Sequence, residues 1–348
     1  MSCFHPLKAF KIGVNPDTGK DILKITPYAV DHVEYCRDRW EMSEWHDMSQ
    51  RASKVVREFK EIPCGTCQGC CIDKSREWAN RMMLELQDHD SAYFITLTYD
   101  ELHVPETFYP DPDTGEAIPV MTLNPRDPQL WLKRLRKAFP ADNIRYFLCG
   151  EYGSTTHRPH YHAIVFGLHL DDLVPLNGSK EYFTSASLQR TWSTNSKGSY
   201  APLGFVLVAA VTWQSCAYVA RYVTKKLYGK EKKFYEIHNL CPEFTRMSRK
   251  PGLAFRFYEE NPECVRKPYL YLSTEEKGIK FTPPKAFFKK FSDQFPEEAK
   301  EIKERRMQFA IEAKKAKLAN TDLSYLDYLA VQESNFKART KSLLRDKI

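Results

Sequence analysis

The sequence predicts an α+β fold built on a ferredoxin-like, split βαβ antiparallel sheet. Three observations predict it. Between residues 92 and 212, runs rich in aromatic and β-branched residues alternate with amphipathic helical patterns in the order β-α-β-β-α-β. A dense cysteine cluster, Cys64-Gly-Thr-Cys67-Gln-Gly-Cys70-Cys71, precedes that region. A highly charged stretch with long helical runs follows it, from residue 285 onward. Three regions are expected: an N-terminal region with the cysteine cluster (1–75), a central domain (76–230), and a basic, mainly helical C-terminal region (231–348).

The elements follow in order. Residues 1–75 show little periodicity. Trp78, Met82 and Leu86 recur every four residues and predict a helix over 74–87. AYFITLTY at 92–99 reads as a strand. Residues 105–123, with Asp111-Pro112-Asp113 and Gly115, read as a long loop. Asp127-Pro128 supplies an N-cap and a first-turn proline for a helix to about 139, with Trp131, Leu135 and Phe139 on its buried face. Residues 144–151 and 160–167 read as an antiparallel pair joined by a polar loop. A short helix is expected at 186–192, an apolar strand at 204–212 and a helix at 214–228. This arrangement should place helices on one sheet face and leave the other for a ligand.

Composition narrows the function classes. The chain has 348 residues, 42% hydrophobic and 28% charged, which is ample for a core. Its formal charge of +7 permits a nucleic-acid partner without requiring one. The first residues lack a basic cluster followed by an apolar run, and no stretch approaches the ~20 apolar residues of a membrane span. An intracellular protein is expected, whose ten cysteines are thiols or metal ligands rather than disulfides.

The residues that carry chemistry fall in three places. His160 and His162 are two apart in an expected strand, so both imidazoles emerge on one sheet face. Glu151 ends the preceding strand, and hairpin pairing can bring its carboxylate beside them. Two histidines and a carboxylate make an open site for a divalent metal. Tyr218 and Tyr222 lie one helical turn apart, about 40° around the axis, and Lys225 and Lys226 follow on the same side. Cys64, Cys67 and Cys70 have spacing suited to tetrahedral zinc, with Cys3 or His5 completing the set. An iron–sulfur centre or free thiols are the alternatives. Arg158 in the hairpin loop, and Arg221 and Lys226 beside the tyrosines, are the candidate DNA contacts. Residues 230–233 and 246–250 are basic runs suited to a DNA-facing surface.

FITLTYD, EYGSTTHRPHYHAIVFG and YVARYVTKK, in that order, resemble the three motifs of the HUH endonucleases. Over nearly its full length, from SCFHPLKA through CGTCQGC and SREWA to EFTRMSRKPG, the chain resembles the replication initiation proteins of gokushovirus-type microviruses. That resemblance implies a rolling-circle initiator acting on a single-stranded origin of a circular phage genome, in the bacterial cytoplasm, alongside host replication machinery. It implies His160, His162 and Glu151 as ligands to Mg²⁺ or Mn²⁺, and Tyr218 and Tyr222 as nucleophiles with Lys225 assisting. Zn²⁺ is preferred for the cysteines, because nicking needs no redox step. A phenol with pKa near 10 is only about 0.1% ionised at neutral pH, so attack on a phosphodiester needs such assistance. The rival from another class is a non-catalytic single-strand binder on a ferredoxin-like sheet. Such a module carries an aromatic RNP1 octamer, which this sequence lacks.

Overall fold

The structure, a computed structural model, describes residues 3–44, 52–153, 155–196, 199–221, 233–273 and 278–340. Backbone contacts divide the chain into two compact units: residues 1–73 with 312–344, and residues 74–311 with 345–348.

The first unit holds six strands where no periodicity was legible. Strands β1 (Leu7–Val14), β2 (Asp21–Pro27), β3 (His32–Cys36), β4 (Arg39–Ser43), β5 (Lys54–Val56) and β6 (Phe59–Ile62) form two antiparallel sheets, in the orders β2-β1-β6 and β4-β3-β5. Phe10, Val30 and Val33 form their small core. The buried Lys8 ammonium donates to the Val30 carbonyl at 2.6 Å and lies over the Phe59 ring.

The second unit carries the main sheet. It begins with helix α1 (Gln68–Leu86) and strand β7 (Ala92–Thr98). The stretch read as a loop contains a hairpin, β8 (Glu106–Pro110) and β9 (Ala117–Met121), whose prolines hid its strand character. Helix α2 (Arg126–Ala138) follows. It starts one residue before Asp127, and Asn124 Oδ1 accepts from the Arg126 N–H at 3.1 Å. Asp127 instead accepts from the Tyr99 hydroxyl at 2.6 Å, so it is not the cap. Then come β10 (Arg145–Tyr152), β11 (Pro159–Phe166), β12 (Leu173–Pro175), β13 (Tyr182–Ser185) and α3 (Ala186–Thr191). Ser185 caps α3, its side chain accepting from the Leu188 N–H. A small hairpin, β14 (Ser193–Ser196) and β15 (Ser199–Pro202), precedes β16 (Val206–Ala210) and α4 (Trp213–Arg221).

The main sheet has seven strands, with α5 (Lys233–Ile237) preceding the last, β17 (Phe244–Met247); its order is β12-β13-β16-β7-β11-β10-β17. Its centre, β16-β7-β11-β10, is antiparallel throughout. In chain order that is strands four, one, three and two, the split βαβ arrangement. Gly204 admits the chain beside β7, since a Cβ there would stand 2.1 Å from the Thr98 carbonyl oxygen.

Both faces of this sheet are covered, which corrects the expectation of one free face. Trp131 and Leu135 of α2 and Leu188 of α3 pack on Leu97, Tyr161, Ala163 and Val165. Ala79, Met82 and Met83 of α1 and Cys216, Ala217 and Ala220 of α4 pack on Phe147, Cys149, Ile164 and Phe166. The sheet faces are apolar on both sides, so polar chemistry is confined to strand ends.

The chain from 255 onward is mixed rather than simply helical. Helix α6 (Phe255–Glu260), a hairpin of β18 (Leu270–Ser273) and β19 (Gly278–Phe281), and α7 (Lys285–Gln294) add Tyr258, Leu272, Phe287 and Phe291 to the second unit's core. Helices α8 (Pro296–Leu318) and α9 (Tyr325–Thr340) close the described chain. The C-terminal part of α8 and all of α9 belong to the first unit. There Glu61 of β6 accepts from Lys314 at 2.7 Å and from Tyr325 at 2.6 Å. None of the described helices is long and apolar enough to cross a membrane.

Candidate functional site

Strand register builds the site. In the β10–β11 pair, Glu151 stands directly opposite His160, and His162 pairs with Cys149 on one side and Thr96 of β7 on the other. Residues two apart on a strand share a face, so Glu151, His160 and His162 converge at one end of the sheet. Glu151 Oε1 lies 2.6 Å from His160 Nε2 and 2.8 Å from His162 Nε2. Helix α4 crosses this end and brings Tyr218, whose hydroxyl donates to the same oxygen at 3.0 Å and lies 3.5 Å from His162 Nε2. The His162 ring stacks on Phe94, with centroids 5.4 Å apart and planes within 10°.

The outer ring nitrogens are held as well. His160 Nδ1 lies 3.1 Å from the Arg158 carbonyl oxygen, and His162 Nδ1 lies 2.9 Å from Thr96 Oγ1. A carbonyl only accepts, so His160 Nδ1 carries a proton. Its Nε2 faces a carboxylate, which also only accepts. The ring therefore either holds two protons or directs a lone pair at a cation shared with Glu151. Glu151 is 1% exposed, and its Oε2 has no hydrogen-bond partner among the described residues. Burial alone would raise its carboxyl pKa. Hydrogen bonds and charge from His160 and His162 outweigh burial and hold it at about 2. The ligand atoms of the three residues lie within 4.8 Å of one another. An orphaned carboxylate oxygen, two fixed imidazoles and outer partners that set ring orientation fit a divalent cation.

Tyr222, Lys225 and Lys226, expected on the same helix face, lie outside the described residues. Arg221, the last residue of α4, is half-buried. Arg158 is turned toward the loop after β7, donating to Glu101 at 2.6 Å and to the Tyr99 carbonyl at 3.1 Å. Thr96 and Phe94 were missed from the sequence. Their signal was present: in ITLTY, a threonine interrupts an apolar strand at the position paired with His162.

The cysteines form a second site, within the first unit. Cys3, Cys64, Cys67 and Cys70 bring their sulfurs within 4.8 Å of one another. The Cys3 and Cys64 sulfurs are 3.7 Å apart and those of Cys67 and Cys3 are 4.0 Å apart. A tetrahedral ion with metal–sulfur bonds of about 2.3 Å has sulfur–sulfur edges of about 3.8 Å. Three backbone N–H groups also point at these sulfurs: Cys64 at Cys3, Cys67 at Cys64, and Phe4 at Cys67. Burial opposes ionisation of Cys64, but the N–H groups of Cys67 and Thr66 overcome it and draw the thiol down to about 6. Burial pushes Cys3 up to about 11. Cys3, not His5, completes the set, since His5 pairs with Glu333 at 3.0 Å. Cys71 stands outside it and bonds to the Thr66 carbonyl.

Comparison with known proteins bears on the same part of the chain. Residues 92–227, which span both motif strands and the tyrosine helix, match the family model of the replication-associated protein ORF2 family. The replication-associated protein ORF2 of Spiroplasma virus 4 is 32% identical over 294 residues, covering 82% of this chain and 85% of that protein. The replication-associated protein VP4 of Bdellovibrio phage phiMH2K is 30% identical over 241 residues, covering 66% and 68%. The replication-associated protein ORF4 of Chlamydia phage 1 is 29% identical over 182 residues, covering 49% and 40%. No solved structure matches significantly. With this identity sustained over most of both chains, the protein belongs to the family of microvirus replication-associated proteins.

Proposed function

We propose that the chain acts in phage replication as an endonuclease that nicks single-stranded DNA at an origin and later rejoins it. One observation carries the reading: the Tyr218 hydroxyl shares a single carboxylate oxygen with two imidazoles that have their outer nitrogens fixed. Tyr218 is the nucleophile in reach. Its phenol oxygen attacks the phosphorus and loses its proton to solvent. The phosphorus–O3′ bond breaks, and the 3′ oxygen takes up a proton and leaves as a hydroxyl. The product is a 5′-phosphotyrosine. Attack by a 3′-hydroxyl on that bond reverses the step and needs no nucleotide triphosphate.

Glu151, His160 and His162 would hold Mg²⁺ or Mn²⁺, which supplies Lewis-acid polarisation of the scissile phosphodiester. Lys225 is assigned to the charge on the departing oxygen. Tyr222 is the second nucleophile, free to cut a new junction while Tyr218 is occupied. Arg158, Arg221 and Lys226 are assigned to phosphates beside the nick. The four cysteines would hold a structural Zn²⁺, in keeping with the sulfur spacing.

The test is cleavage of a single-stranded origin oligonucleotide with Mn²⁺, with EDTA, and with His160→Ala or His162→Ala. Cleavage should require the metal and both histidines, with folding judged unchanged by circular dichroism. Full activity in EDTA would contradict the proposal.

A further inference from the structure

A second cationic feature lies at the opposite end of β10 from the histidines. An open cavity of about 520 Å³ is walled by Arg136 of α2, Arg145 and Tyr146 of β10, and Arg246, Arg249 and Lys250 at β17 and just beyond it. The basic run at 246–250 was legible in the sequence. Its enclosure was not, because Arg136 and Arg145 arrive from two other elements.

The lining is unusual in its charge balance. Five cationic side chains and no acidic one face this cavity. Arg145 is ion-paired with the buried Glu85, which anchors it at the wall. Arg136, Arg246, Arg249 and Lys250 make no ion pair among the described residues. Their planes are braced instead by aromatic rings: Arg246 lies 5.1 Å from the Phe244 centroid and Arg136 lies 5.7 Å from that of Tyr146. Gathering like charges without counter-ions costs energy in the free protein, and an anion with several oxygens relieves it. Guanidinium forks match phosphate geometry.

We propose that this cavity binds backbone phosphates of the same single-stranded DNA that Tyr218 attacks. The inference rests on the nicking reading for its choice of nucleic acid. Arg145 and Glu151 stand at opposite ends of one strand, which at about 3.3 Å per residue separates cavity and nick site by about 20 Å. A DNA strand engaging both would be held in register along the sheet end to end, with the cavity supplying affinity and the histidine end supplying chemistry.

The test is binding, read by fluorescence anisotropy of a long single-stranded oligonucleotide across a salt series. Arg246→Gln/Arg249→Gln removes two exposed cavity charges. Lys300→Gln/Lys303→Gln removes two exposed charges from α8 and serves as the charge-matched control. Each lost phosphate contact should lower the salt slope by about 0.7, so the cavity variant should lose about 1.4 and the control nothing. An unchanged slope in the cavity variant, or an equal loss in the control, overturns the proposal. So does displacement of the oligonucleotide by millimolar inorganic phosphate alone, which would mark a small-anion site. A protein that binds with the expected slopes yet never cleaves leaves the cavity standing and sinks the nicking reading. Cleavage with an unaltered slope in the cavity variant does the reverse.

Discussion

Thr96→Val tests whether the orientation of His162 matters as much as its presence. The Thr96 hydroxyl lies 2.9 Å from His162 Nδ1, and the ring's Nε2 is the atom directed at Glu151. Valine keeps the size and branching of threonine but offers no hydrogen-bond partner. Nδ1 then loses its acceptor, and the neutral ring is free to move its proton to Nε2, where it blocks a metal. Removing such an outer partner costs about 10–100-fold in metal affinity. At about 1.4 kcal/mol per tenfold, that is about 1.4–2.8 kcal/mol. The same order follows from leaving one buried polar atom unpaired, about 1–3 kcal/mol. Calorimetric titration with Mn²⁺ should therefore show at least tenfold weaker binding for Thr96→Val, with Thr96→Ser near the natural protein. Equal affinity in Thr96→Val, or equal damage from Thr96→Ser, would refute the argument, since serine retains the hydroxyl.

Three further outcomes are expected. Cys67→Ser should lower the thermal midpoint and reduce zinc content measured by elemental analysis from a full equivalent, while DNA cleavage at low temperature persists; iron in place of zinc, or no metal, would contradict the assignment. Glu85→Gln should cost about 3–5 kcal/mol in urea unfolding, because the 2%-exposed carboxylate accepts from Arg145, His89 and the Ala254 N–H, and its loss strands a buried guanidinium. Burial would raise the Glu85 carboxyl, but those three donors hold it below its ordinary 4.5; its stabilisation is full above 4.5 and is lost as pH falls through the depressed value, so the gap between Glu85→Gln and the natural protein should narrow in acid. A gap that widened as pH fell would refute that sign.

Much of the central domain was legible because its elements are long and strongly patterned. The 92–99 and 160–167 strands carry unbroken β-branched and aromatic runs, and their order fixes a split βαβ sheet. Convergence of Glu151 with His160 needed only hairpin register, and the structure pairs those two residues directly. The first 62 residues were opaque for a physical reason. Their strands lie in three-stranded sheets with few buried positions, so β2 buries only Thr26 and no apolar alternation survives. The 106–121 hairpin was hidden by Pro110 and Pro119, which read as loop. Cover on the second sheet face was missed because Ile164 and Phe166 were seen beside the histidines without asking what buries them; α1 and α4 do. Asp127 looked like a cap from its neighbour Pro128, but a buried tyrosine hydroxyl claims it. The cysteine site depended on Cys3, some sixty residues from its partners, which spacing suggested and only the fold brings together.

The central claim is that a tyrosine hydroxyl at the Glu151–His160–His162 cluster attacks DNA. The most direct measurement is mass spectrometry of the covalent adduct formed between the protein and a single-stranded origin oligonucleotide. The natural protein should carry the nucleotide on Tyr218 or Tyr222. Tyr218→Phe and Tyr222→Phe should each still form some adduct, on the remaining phenol, and Tyr218→Phe/Tyr222→Phe should form none. Phenylalanine keeps the ring and its packing, so loss reports on the missing hydroxyl alone. An adduct on any other residue, or one formed by the double variant, would contradict the account.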